Sequence, residues 1–276
     1  MRPRNFRGTT VVIIGAVGGL GSALCRRFGE AGAKVVALDL DGARAEALAT
    51  RLRAQGIQVL GLACDVSDEA ACREAIVRVI DGHSGIDVPV NNAGISARCL
   101  LRNADSAVVR RVMAVNFFGA VHATQSALES LIERRGQIVV ISRIAGFSPL
   151  VGRTAYAASK HALHGFFDSL RSELRADRVD VLLACPAFIA TGIDRAALGG
   201  DGCTATAPRQ TTGAQAQPDA VAAHIVEAAR RRRRLCLPAT TSRLAWWMSR
   251  PAPDTYERLM LRRVGAEFDM SSRRAA

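Results

Sequence analysis

The chain alternates short apolar runs with longer stretches of helical period. Runs at residues 10–14, 34–39, 59–64, 87–90, 137–142, 179–185 and 235–237 predict β-strands. Between them, apolar residues recurring at three- and four-residue spacing predict helices over 19–31, 42–55, 68–80, 107–132, 154–176 and 218–230. Most strands are apolar at consecutive positions, the pattern of a strand buried on both faces. Regular strand–helix alternation then gives an α/β fold: a doubly wound parallel sheet of about seven strands with helices on both faces. No composition break interrupts residues 1–238, which read as one domain. Residues 239–276 read as a C-terminal extension packing on the body or on an oligomer partner. It carries Trp246-Trp247 and an apolar cluster at 259–261.

One internal stretch leaves the pattern. Residues 196–217 are rich in Gly, Thr, Ala and Gln and read as a long loop. That loop and the extension are expected to line a pocket and carry specificity.

A hydrophobic fraction of 49% and a charged fraction of 22% over 276 residues exclude wholesale disorder. The net charge is +12, and every basic residue except Lys34 and Lys160 is an arginine. No nucleic-acid motif accompanies the charge, so an Arg-biased solvated surface is the reading and nucleic acid is not expected as a partner. Trp246-Trp247 between Arg243 and Arg250 leaves contact with a membrane surface as the lesser alternative to packing. No apolar stretch reaches the roughly 18–20 residues of a span. The basic start, residues 1–8, has no signal-type apolar region behind it. Seven cysteines form no CxxC pair, and no histidine stands at metal-ligand spacing to them. Reduced thiols, no metal and a cytoplasmic setting are expected.

Gly15-Ala-Val-Gly-Gly19-Leu20-Gly21 joins the first strand to the first helix. Gly15 permits a tight turn, and Gly19 and Gly21 allow a pyrophosphate to approach the helix N-terminus. A lone glycine triplet is weak, but this one has a strand before it, a helix after it and Asp39 at the end of the next strand. An acid there accepts hydrogen bonds from ribose hydroxyls and repels a 2′-phosphate. Leu40 and Asp41 follow it with no adjacent base, so NAD is favoured over NADP.

With these residues the chain resembles the short-chain dehydrogenase/reductase superfamily, in its single-domain subclass. The resemblance rests on Gly15, Gly19 and Gly21, on Asp65-Val66, on Asn91-Asn92-Ala93-Gly94 and on Asn116. It rests further on Tyr156-Ala-Ala-Ser-Lys160 and on residues 186–191, which include Pro186, Ile189 and Thr191. It runs from about residue 10 to 237 and implies a Rossmann-type fold and hydride transfer between a secondary alcohol and a carbonyl. It implies Asp65 and Val66 at the adenine ring, Asn92, Ala93 and Gly94 beside the cofactor, and Pro186, Ile189 and Thr191 over the nicotinamide. Tyr156, Lys160 and Asn116 become the catalytic candidates. Residues four apart share a helix face, and an ammonium beside a phenol favours the phenolate. Lys160 is also expected on the nicotinamide ribose. The long helices 107–132 and 154–176 resemble those the family packs into homodimers and homotetramers. The substrate is a small alcohol or carbonyl, lipophilic if the apolar extension lines its pocket.

The chain departs from the family at several points. Position 143, thirteen before Tyr156, is Arg where the family has a serine that donates to the substrate oxygen. Ser142 is its neighbour in an extended strand, so its side chain points to the opposite face. Arg143 either displaces that donor or acts as an anion clamp. Ile14 stands where Thr is common, Pro89 enters a central strand and Ala187 replaces Gly. Ile14 and Pro89 bring no matching gain, which favours displacement. The alternative to an oxidoreductase is then a nucleotide-binding pseudoenzyme acting as a regulator or dimer partner.

Overall fold

The computed structural model describes residues 3–205 and 215–264. Its seven strands are β1 (Thr10–Ile14), β2 (Lys34–Asp39), β3 (Val59–Ala63), β4 (Val88–Asn91), β5 (Gln137–Ile141), β6 (Asp180–Ala184) and β7 (Leu235–Cys236). All pair in parallel in the order β3-β2-β1-β4-β5-β6-β7. The order reverses between β1 and β4, and in such sheets a crevice opens at the carboxyl ends of the strands there. Ile14 lies opposite both Leu38 and Asn91, so three strands end level at that crevice.

Helices α1 (Gly19–Glu30), α2 (Gly42–Arg53) and α8 (Pro218–Arg230) cover one face, burying Leu24, Phe28, Leu48 and Ile225 against β1 and its neighbours. Helices α3 (Glu69–His83), α5 (Gly119–Ser126), α6 (Leu128–Glu133) and α7 (Thr154–Glu173) cover the other, burying Ile76, Leu131, Leu163 and Phe167. Each such side chain contributes roughly 1.5–3 kcal/mol on burial. Asp41 and Asp68 cap α2 and α3 by accepting the backbone N–H groups of Arg44 and Ala71.

The sequence period predicts one helix over 107–132, and the structure breaks it. Helix α4 (Ser106–Met113) runs into a π-turn at Ala114–Phe118 before α5 begins, and α6 follows after Ala127. The wide turn carries Asn116, whose amide is tied to the backbone of Ile95 by two hydrogen bonds of 2.8 and 3.0 Å. Such turns recur at functional sites because the extra residue re-aims a side chain without ending the helix.

Pro89 sits in β4 opposite Val12, and the ladder to β5 begins only at Val90. Gln137 N–H donates to Asp87 O at 2.9 Å, so β4 and β5 are already adjacent there, and the rung that Pro89 cannot donate is the one missing. After β7 the extension forms α9 (Thr240–Met248) and α10 (Pro253–Val264). Ala245 and Tyr256 join a small apolar cluster with Phe147 and Cys185. Trp246 meets Phe147 edge-on at 4.9 Å with the Arg250 guanidinium 5.0 Å from its ring, while Trp247 is 74% exposed. Residues 206–214 of the expected loop, and 265–276 of the extension, lie outside the described residues. Among the described residues no helix is long and apolar enough to cross a membrane, and no cluster of His, Cys, Asp or Glu could hold a metal ion.

Candidate functional site

The loop between β1 and α1 turns at Gly15, whose φ of +76° favours glycine. A Cβ there would lie 2.6 Å from Ala93 Cα, so the loop and the segment after β4 pack backbone to backbone. Asn92 N–H donates to Ile14 O at 3.2 Å, and its side-chain amide donates to Gly15 O at 2.7 Å. Asn92 thus ties the loop to the segment after β4, although Ile14 has no hydroxyl to add. Asp39 Oδ2 accepts the Val17 N–H at 2.9 Å, holding the loop from the other side.

These pieces wall a cleft of about 760 Å³ along the carboxyl edge of the sheet. Facing it are Gly15, Gly19, Leu20, Gly21, Asp39, Asp65, Val66, Asn92, Ala93, Gly94, Arg143, Tyr156, Lys160 and Thr191. Pro186 lies instead in an adjoining cavity, and Ile189 packs in the core at 1% exposure. Asn116 is buried behind the wall. It donates to Ser159 Oγ at 2.9 Å, which donates to Tyr156 O at 2.8 Å, so it clips α7 to the loop after β4. Sequence reading missed Arg44, Cys64, Ser67, Arg111 and Ile193, which also line the cleft. Arg44 had a signal: it sits in the first turn of α2, beyond Asp41, where it returns toward Asp39.

Two features fit a dinucleotide. The first turn of α1 has neither an acidic residue nor a side-chain cap, leaving its N–H groups for an anion. Thr191 Oγ1 is buried in the cleft wall with no hydrogen-bond partner among the described residues. A buried hydroxyl left so is costly unless a ligand completes it.

A second cavity of about 140 Å³ opens beside the cleft. Its walls include Ile144, Leu150, Pro186 and Phe188 from the body, and Leu244, Ala245, Met248, Leu259 and Met260 from α9 and α10. The two spaces share Tyr156, Arg143 and Ile193. Lys160 Nζ lies 5.8 Å from the Tyr156 ring centre and donates to Ile141 O at 3.0 Å. Burial, and then the nearby Arg143 charge, pull its pKa down to about 7. Arg143 is extended (φ −161°, ψ 174°), and its Nη1 donates to Ala187 O at 2.7 Å. Ser142 points the other way: its hydroxyl contacts His164 Nε2 at 3.0 Å and Lys160 O at 3.5 Å, on the far side of the strand end. Burial holds His164 down to about 4, so that group is neutral near pH 7.

The chain is similar to known proteins. Residues 9–199 match the family model described as short chain dehydrogenase. A dehydrogenase/reductase SDR family protein 7-like from Anopheles gambiae is 35% identical over 95% of this chain and 84% of its own length. Dehydrogenase/reductase SDR family member 7B from Bos taurus is 35% identical over 95% and 83%. Among solved structures, a short chain dehydrogenase/reductase from Burkholderia phymatum in complex with NAD superposes with a TM-score of 0.81 at 24% identity, over 91% of this chain and 96% of that one. A metagenomic short-chain oxidoreductase in complex with NADP gives 0.69 at 28% identity, over 82% and 93%.

Proposed function

We infer, from the premise that this chain belongs to the short-chain dehydrogenase/reductase family, that it is an NAD-dependent oxidoreductase interconverting a secondary alcohol and a carbonyl. The observation that carries this reading is the junction of the two spaces at Tyr156: a cleft with the donors for a dinucleotide meets an apolar cavity at a phenol. The glycine loop and the α1 N-terminus hold the pyrophosphate, Asp39 the adenosine ribose, Asp65 and Val66 the adenine. Lys160 serves the second ribose, and Thr191 completes its hydroxyl on the nicotinamide end. When bound, the cofactor supplies or accepts the hydride: carbonyl, NADH and a proton become alcohol and NAD⁺. Tyr156 gives the proton to the substrate oxygen in reduction and takes it back in oxidation. Lys160 beside it favours the phenolate whenever the amine is charged. Asn116 positions α7, and with it Tyr156, through Ser159.

The test is Tyr156→Phe. Turnover of an NAD-linked alcohol should fall by about 10²–10⁴-fold, with NAD affinity by calorimetry nearly unchanged. Retained turnover removes Tyr156 as the acid/base. NAD binding with no turnover of any alcohol or carbonyl by the unmodified chain supports the second reading, a nucleotide-binding partner. That reading draws on Arg143 standing at the sequence position of the family serine, with its Nη1 donating to Ala187 O.

The chain is also read as a homodimer or homotetramer. Phe118, at the junction of the π-turn and α5, is 48% exposed beside Phe117 and His122, an apolar patch on the helices expected to pair. Light scattering should show a species above 29.4 kDa, and Phe118→Glu should shift it to monomer; a monomer at micromolar concentration overturns the assembly. Seven free thiols support a reducing, cytoplasmic setting, which localisation of the tagged chain tests.

A further inference from the structure

Arg143 is the residue in which this site departs most from a neutral-alcohol site. It lines both the cleft and the apolar cavity, as Tyr156 does. One of its five N–H donors is used, by Ala187 O at 2.7 Å, and among the described residues no carboxylate pairs with it. The described lining of the cavity contains no acidic side chain at all. Half-buried and without a carboxylate partner among the described residues, the guanidinium keeps donors for a ligand anion. Here it also sits close enough to Lys160 to depress that ammonium. The oxidised nicotinamide would bring one more positive charge to the same place. A ligand anion relieves all of these at once.

The case for Arg143 as mere damage also weakens in the structure. It drew on Ile14 and Pro89 as companions without gain. Yet Asn92 still ties the loop to the segment after β4, and Pro89 costs a single rung on the β5 side while Val90 and Asn91 pair there.

We propose that the substrate is a 2-oxo acid, or the corresponding 2-hydroxy acid, bearing an apolar side chain, and that Arg143 clamps it. This rests on the dehydrogenase reading above and names its substrate class. The planar fork of arginine matches two oxygens side by side. In a 2-oxo acid those are one carboxylate oxygen and the keto oxygen. Arg143 and Tyr156 both stand where the cleft meets the cavity, which favours a carboxylate adjacent to the carbon whose oxygen Tyr156 serves. The fork then also provides the donor to the keto oxygen that the serine would have given. The remaining space sets the side chain. A cavity of about 140 Å³, walled by Leu150, Phe188, Leu244, Met248 and Leu259, is of the size that accepts a benzene ring, so a phenyl or hexyl group fills it.

The experiment uses N-hexyloxamate, an unreactive analogue of 2-oxooctanoate with the same hexyl group, and its ethyl ester, titrated calorimetrically into the full chain with NADH. The acid should bind at least tenfold tighter than the ester, and Arg143→Ser should weaken the acid about thirtyfold or more and abolish its advantage over the ester. Arg143→Lys, which keeps the charge but not the fork, should fall between, and thermal melts establish that both variants fold. In turnover with NADH, the unmodified chain should prefer 2-oxooctanoate to 2-octanone, and Arg143→Ser should reverse that order. Equal binding of acid and ester, or acid binding indifferent to Arg143→Ser, overturns the clamp. Arg143-dependent binding of N-hexyloxamate without turnover of either ketone upholds the clamp and defeats the dehydrogenase reading. Reduction of 2-octanone through Tyr156 with no binding of N-hexyloxamate does the opposite.

Discussion

The cleft and the cavity meet at Tyr156 but are built differently. The cleft is made of backbone: loop carbonyls and amides held by Asn92 and Asp39, glycines against neighbouring chain, an uncapped helix end, and one ammonium buried without a carboxylate. The cavity is made of side chains from segments far apart in sequence, closed by two helices of the extension, one of whose tryptophans stands in solvent. A backbone site tolerates little change and stores its cost in stability. A side-chain site can vary with modest penalty. The difference suits a cofactor that stays the same and a substrate that does not.

The largest test of that contrast is at Lys160. Its ammonium is buried, and its pKa is held at about 7 against an ordinary 10.5. Between those values the unfolded chain binds more protons than the native one, so native stability rises with pH across that window. Lys160→Met removes the penalty. The gain should be greatest at and below pH 7, on the order of 3–5 kcal/mol before the lost hydrogen bond to Ile141 O is set against it. It should vanish near pH 10.5, while turnover is lost throughout. Melting temperatures from pH 6 to 10 for both proteins measure it. A difference independent of pH would mean that Lys160 is not the strained group of the cleft.

A smaller effect separates glycine from tail. A Cβ on Gly21 would collide with the carbonyls of Gly15 and Ala16, atoms fixed by the loop. Gly21→Ala should cost roughly 1–3 kcal/mol and weaken NAD at least tenfold. Trp247→Ala, by contrast, removes an exposed ring and should stay within about 0.5 kcal/mol. Chemical denaturation of the two variants decides it. Equal losses would show that the extension is as constrained as the glycine loop.

The same division explains what was legible in the sequence. Gly15, Gly19, Gly21, Asp39 and the Tyr156/Lys160 pair act locally, at fixed spacing within a strand–turn–helix or on one helix face, so residue order displays them. The seven strands show because burial on both faces leaves unbroken apolar runs. The π-turn at Asn116 does not show, because the apolar period runs through it and only the bond to Ile95, some twenty residues earlier, demands the extra residue. The cavity is hidden for a related reason. Leu150, Phe188, Leu244 and Leu259 converge only after the sheet is assembled, and none carries a local signal of the others. Arg143 was visible as a departure, but its hydrogen bond to Ala187 O and the lack of an acidic side chain in the described lining of the cavity were not.

The last effect concerns the adenosine-ribose end of the cleft, where a side chain, and not backbone, sets the outcome. Asp39 Oδ2 is engaged by Val17 N–H, leaving the carboxylate fixed with its charge at the ribose end. Arg44 lines the same end and is a natural partner for a 2′-phosphate, which would pull against Asp39. NAD should therefore be favoured over NADP by only several-fold, about 1 kcal/mol. Asp39→Asn keeps an acceptor for Val17 and removes the charge, so the preference should shrink or invert with NAD affinity barely changed. Arg44→Ala should widen it by weakening NADP alone. Titration of both cofactors into the three proteins measures these ratios. Tighter NADP than NAD in the unmodified chain would show that Arg44 outweighs Asp39, and that even this corner of the cleft answers to a side chain the loop pattern does not reveal.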